Sequence, residues 1–88
     1  MKFEFDSAKS ASNKIKHGID FVEAQKLWQK DRVEVPAKTE GEIRYAQIGT
    51  IKGVHHTVIV AYRGASVRII SARRSSEKER TTYEQNKK

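Results

Sequence analysis

Arginines, histidines and a few carboxylates stand where chemistry is possible, and their spacing sorts them into three groups. The densest is the run Arg68-Ile69-Ile70-Ser71-Ala72-Arg73-Arg74-Ser75. It reads as a strand that delivers Arg73 and Arg74 to the start of a helix, where free backbone N–H groups also attract anions. The planar guanidinium fork suits phosphate oxygens. Arg80 and Tyr83 follow three residues apart and so share a helix face, with Tyr83 offering a hydroxyl or a ring for base stacking. Arg68 adds a further cation. The plainer alternative is a solvated basic helix start.

The second group is Lys14, Lys16 and His17. Cations at the end of a helix are favoured by its dipole, which alone explains them; alternatively His17 transfers protons, since histidine titrates near neutral pH. The third is Glu40, Glu42, Arg44 and Tyr45. Glu42 and Arg44, two apart, share a strand face either as an exposed ion pair of small worth or as part of a cleft. His55 and His56 are adjacent, so on a strand they point to opposite faces and cannot bind one metal together. No cysteine is present, which rules out a disulfide framework and a cysteine-rich zinc site. A glycine-rich phosphate loop and a serine nucleophile elbow are also missing.

Eighty-eight residues make a single domain, here taken as 1–88, with a thin core. The net charge is +7, and it is unevenly placed: residues 63–88 hold eight Lys/Arg against three Asp/Glu, residues 1–62 ten against eight. That asymmetry predicts a polyanion or an acidic partner near the C-terminal third. Covering by a partner would also add stability. Nothing resembles a signal peptide or a run of about 20 apolar residues able to span a bilayer, so the expectation is a soluble, cytoplasmic protein without membrane contact.

The elements that must hold these groups follow from pattern. Phe3 and Phe5 alternate with charged residues as a short strand. Asp6 or Ser7 caps a helix running to about His17, with Gly18 as its left-handed stop. Its apolar stripe, Ala8, Ala11 and Ile15, predicts a shallow seat on the body. Asp20 and Glu23 form a capping box for a second helix, whose Phe21, Ala24, Leu27 and Trp28 share one face. Strands are predicted at Val33–Pro36, Ile43–Ile51, Val54–Tyr62 and Ser66–Ala72, with hairpins at Lys52-Gly53 and Arg63-Gly64-Ala65. Val58–Ala61, apolar on both faces, marks a central strand. Ser75 or Ser76 caps a last helix, with Glu79 completing a capping box. Lys88 is expected to fray. The fold class is therefore α+β: a short N-terminal strand, two helices, a four-stranded antiparallel meander and a C-terminal helix.

Set against known families, these residues resemble the BrnT-type toxins. Phe3-Glu4-Phe5-Asp6, Lys9, Ser12-Asn13, Lys16-His17-Gly18-Ile19, Phe21 and Glu23-Ala24 are similar to that family's opening. Glu40-Gly41-Glu42, Arg44-Tyr45 and Ile48-Gly49 match its first long strand, and Arg68 to Arg74 with Glu79-Arg80 and Tyr83-Glu84 its closing signature. The resemblance implies a fold related to RelE-type ribonucleases and ParE-type toxins, and an RNase activity that halts translation. It also implies a neighbouring ribbon-helix-helix antitoxin, and operator DNA bound by the toxin–antitoxin complex. On that reading the enzyme needs no metal and no cofactor. Arg73 and Arg74 take the phosphate, and His17 is the acid or base, with Glu42 and Tyr83 as alternates. Lys14, Lys16, Arg44, Tyr45, Arg68 and Arg80 contact RNA. Two rivals remain at this point: a gyrase-poisoning toxin of the same fold, and a nucleic-acid-binding module without catalysis.

Overall fold

A computed structural model describes residues 2–39 and 41–87. Met1, Glu40 and Lys88 lie outside the described residues, and with them the expectations attached to Glu40 and Lys88. In chain order the elements are β1 (Lys2–Glu4), α1 (Ser7–His17), α2 (Phe21–Ala24), a 3-10 turn (Gln25–Gln29), β2 (Val33–Pro36), β3 (Tyr45–Ile51), β4 (Val54–Arg63), β5 (Ser66–Arg74) and α3 (Glu77–Asn86). The meander β2–β5 is antiparallel, as expected, but it is not the whole sheet. β1 joins it in parallel along β5, giving a five-stranded mixed sheet in the order β1-β5-β4-β3-β2. The parallel pairing is reached because α1, α2 and the meander together form the long crossover that parallel strands require.

Capping chemistry sets the helix limits. Asp6 accepts from the backbone N–H groups of Ala8 and Lys9, and Gly18 closes α1 in the left-handed region at φ 78°. Both capping boxes form, Asp20 with Glu23 and Ser76 with Glu79. Two local expectations need correction. The second helix ends at Ala24 and tightens into the 3-10 turn that carries Leu27 and Trp28. It does so beneath Gly49, where a Cβ would lie 3.0 Å from Leu27 Cδ1 and 3.3 Å from the Asp31 carbonyl.

The second correction concerns α1, whose supposed apolar stripe faces solvent: Ala8 and Ala11 are exposed and Ile15 is 89 % exposed. Its buried residues are Ser10 and Asn13. Asn13 donates to the carbonyls of Ile19 and Ala72 at 2.8 and 2.7 Å, and Ser10 accepts from the Phe21 N–H at 2.9 Å. Short polar side chains thus tie α1 to β5 by satisfying backbone groups that burial would otherwise strand.

The main core lies between the sheet and α2 with the 3-10 turn: Ile19, Phe21, Ala24, Leu27, Ile51, Val58, Val60, Val67, Ile69 and Ala72. Trp28, read as core, is half-buried, with Phe3 edge-on to its ring and Arg32 over it. α3 packs on the opposite face, where Thr57 bonds Ser75 and Glu79, and His55 meets Tyr83 edge-on. The pairing of β4 with β5 carries one irregularity. Ile59 pairs with Ser71 and Val60 with Ile69, so Ile70 is an unpaired bulge residue. Beyond it the alternation of β5 shifts by one.

Candidate active site

Strand alternation, reset by the bulge, distributes the polar residues between two faces. On the face of α1 and α2, a cleft of about 260 Å³ is lined by His17, Glu23, Lys26, Lys52, His56 and Arg74, over Ile19, Ile51 and Val54. His17 comes from the last turn of α1, just before the Gly18 stop. Lys26 comes from the 3-10 turn, and Lys52 from the β3–β4 hairpin, where its positive φ of 53° belongs to the tight turn. His56 and Arg74 are direct cross-strand partners, so their side chains stand side by side on one face. On its other flank His56 is opposite Gly49, which has no side chain to crowd it.

The His56 ring is oriented by its own strand. Its Nδ1 lies 3.0 Å from the Val54 carbonyl, which can only accept, so Nδ1 donates and Nε2 of the neutral ring carries the lone pair. Glu23 is the carboxylate of this cleft among the described residues, and it is already engaged. Lys14 Nζ approaches it at 2.7 Å, and that hydrogen bond chiefly lowers the Glu23 pKa and raises that of Lys14. Lys16 is exposed on α1 and does not line the cleft.

Arg73 and Arg74 are not brought to one phosphate. β5 extends through both, two residues further than its expected end at Ala72, and adjacent strand residues point apart. Arg73 turns to α3 and holds Glu79 with two hydrogen bonds, Nη1–Oε1 at 2.7 Å and Nη2–Oε2 at 2.9 Å. This bidentate pair outweighs burial, which acts the other way, and together with the Ser76 N–H bond lowers the Glu79 carboxyl to about 2; it also raises the Arg73 guanidinium. The start of α3 is correspondingly occupied by its capping box.

The other expected site residues fall on the α3 side or away from both clefts. Glu42 pairs with Arg68 at 3.2 Å, before the strand proper begins at Tyr45, so Glu42 and Arg44 do not share a strand face as a pair. Arg44 lines a second cleft with Arg73 and Glu79. Tyr83 is 8 % exposed and packed on His55, which leaves its ring unavailable to a base. Tyr45 sits at the far end of the α1 face against Tyr62, their rings 5.5 Å apart. Arg80 is exposed and borders a small polar hollow with His55, Ser75 and Arg74. Spacing alone sets His56 aside as a metal ligand and draws no notice to Lys26 or Lys52. The signal that could have found His56 is the period of β4: it shares its face with Val58 and Val60, which pack under α2.

The fold thus presents a small cation-rich cleft with two imidazoles, groups able to hold an anion and to exchange protons. A family model described as the ribonuclease toxin, BrnT, of type II toxin–antitoxin systems matches residues 5–79, and the chain belongs to that family. It is a ribonuclease toxin, and membership gives it a cognate antitoxin as partner. No curated protein matches the chain at a significant level. Among the described residues no helix is long and apolar enough to cross a membrane.

Proposed function

We propose that the chain is a metal-independent endoribonuclease whose chemistry runs in the His17–His56–Arg74 cleft. The observation that carries this reading is the pairing of His56 with Arg74 across β4 and β5, opposite His17 at the end of α1. The 2′-OH gives its proton to His56 Nε2 as its oxygen bonds to the adjacent phosphorus. The P–O5′ bond breaks, and His17, entering protonated, gives its proton to the leaving oxygen. The products are a 2′,3′-cyclic phosphate and a 5′-hydroxyl. Arg74, Lys26 and Lys52 balance the charge that builds on the phosphoryl oxygens. Arg73 with Glu79, Arg68 with Glu42, and Tyr83 serve in this scheme to hold α3 and the β3 lead-in; Arg80 remains as a phosphate contact outside the cleft.

As the family resemblance implies, the proposal extends to inhibition of translation in the cytoplasm and to a RelE/ParE-like superfamily. It extends also to a ribbon-helix-helix antitoxin whose complex with the toxin binds operator DNA. The family description names a ribonuclease, which favours this reading over a gyrase poison. The test is cleavage of purified RNA in excess EDTA by the parent, His17→Ala and His56→Ala. Activity persists in the chelator, and each variant loses one limb of the parental pH–rate profile. Loss of parental activity on chelation, or unchanged profiles in both variants, refutes the scheme.

A further inference from the structure

α3 covers only part of its face of the sheet. Beside it lies a second cleft of about 380 Å³, with a floor of Ala46, Ile59 and Ile70 and a rim that includes Lys38, Arg44 and Arg73. Pro36, at the end of the outermost strand β2, closes one side. Ile70 keeps the phase of Arg68, and the bulge sets Ser71 beside it on this face. Arg73 is neutralised by Glu79, but Lys38 is exposed and makes no ion pair among the described residues. Arg44 Nε is enclosed and has no hydrogen-bond partner among them. An enclosed guanidinium nitrogen of this kind is costly until an acceptor arrives.

We propose that this cleft is where the cognate antitoxin docks, through an acidic segment that also carries aliphatic side chains. Carboxylates of that segment meet Arg44 and Lys38, and its aliphatic groups cover Ala46, Ile59 and Ile70. The floor decides between protein and RNA. No aromatic residue lines the cleft among the described residues, whereas single-stranded nucleic acid is held by stacking on aromatic rings as well as by charge. An aliphatic floor with a cationic rim matches a peptide with apolar anchors and flanking acids. Docking here rests on the antitoxin that family membership supplies, and not on the chemistry proposed for the opposite face.

The experiment uses the whole chain and its full-length cognate antitoxin. Hydrogen exchange is compared for the free chain and the complex; antitoxin slows exchange in the loop residues 37–39 and 41–44. Protection elsewhere with none in that loop overturns the proposal. In parallel, the double variant Lys38→Glu, Ile70→Glu binds antitoxin roughly a hundredfold more weakly, while its RNA cleavage stays within about twofold of the parent. Parental antitoxin affinity overturns the proposal, and so does lost cleavage with antitoxin binding retained, which would give the face to RNA. Should the double variant unfold, Lys38→Glu alone at an exposed position still binds roughly tenfold more weakly. His56→Ala separates the two readings: it binds antitoxin like the parent whether or not it cuts RNA.

Discussion

On the α1 face, Lys26, Lys52 and Arg74 stand beside two imidazoles, and the nearby Glu23 is already committed to Lys14. On the α3 face, Arg68 and Arg73 are each matched to a carboxylate, Glu42 and Glu79. Among the described residues the first face leaves Lys26, Lys52 and Arg74 without an ion pair, as the proposed phosphate site requires. The second uses Arg68 and Arg73 to hold its own parts together. Arg73 and Arg74 make the contrast sharpest, because neighbours in sequence have opposite duties. Density of positive charge along a sequence therefore does not say which cations are left unpaired; the fold does.

Substitutions can break or sharpen that contrast. The largest effect is expected from Arg74→Ala, which lowers RNA cleavage by about 2–4 kcal/mol of transition-state stabilisation, or roughly thirty- to a thousandfold in rate. Arg74→Lys keeps the charge without the fork and falls between variant and parent. If single-turnover cleavage by Arg74→Ala equals the parent, the α1 face loses its claim to the chemistry. Gly49→Ala comes next, at about 1–3 kcal/mol of stability in a denaturant titration, because its Cβ presses on Leu27 and the Asp31 carbonyl. A neutral result would mean that the 3-10 turn yields easily and His56 is not closely housed.

Arg73→Ala and Glu79→Gln test the other face, each at about 1–2 kcal/mol of stability for a partly exposed charge-assisted pair. The pattern is crossed: Arg73→Ala lowers the unfolding midpoint more than Arg74→Ala does, and cleavage less. Glu79 also gives the pair a pH signature. Its carboxyl is lowered from 4.5 to about 2 on folding, so its stabilisation is complete above about pH 4.5 and disappears as pH falls through about 2. The stability gap between the parent and Glu79→Gln narrows over that window; a gap independent of pH would remove the ion pair from the account. The smallest effect is that of Ile15→Ser, within about 0.5 kcal/mol, since Ile15 lies almost wholly in water.

Much of the local structure was legible, because local chemistry decides it. Asp6, Asp20, Ser76 and Glu79 cap helices in the roles that their types and spacing imply, and the Lys52-Gly53 hairpin joins the strands around it. What could not be read was relational. The buried side of α1 is polar because Asn13 must satisfy backbone groups of Ile19 and Ala72, a demand created only when β5 arrives. The parallel seat of β1 depends on that same strand. The candidate site was half legible: His17 and Arg74 stand out by type and position, but the bulge at Ile70 decides which arginine joins them. His56 reads from spacing only as a failed metal ligand, although its alternation with Val58 places it on the core side.

The seat of β1 beside β5 has a consequence for synthesis. Phe3 pairs with Val67, and Arg74 lines the cleft with His17, so elements made earlier find their partners in a strand made much later. Contacts of such sequence separation form late and slowly. A nascent or prematurely ended chain that stops before β5 has its early histidine but neither the arginine opposite nor the strand that anchors α1. Such fragments lack the arginine of the proposed site and are expected to be harmless to the cell that makes them.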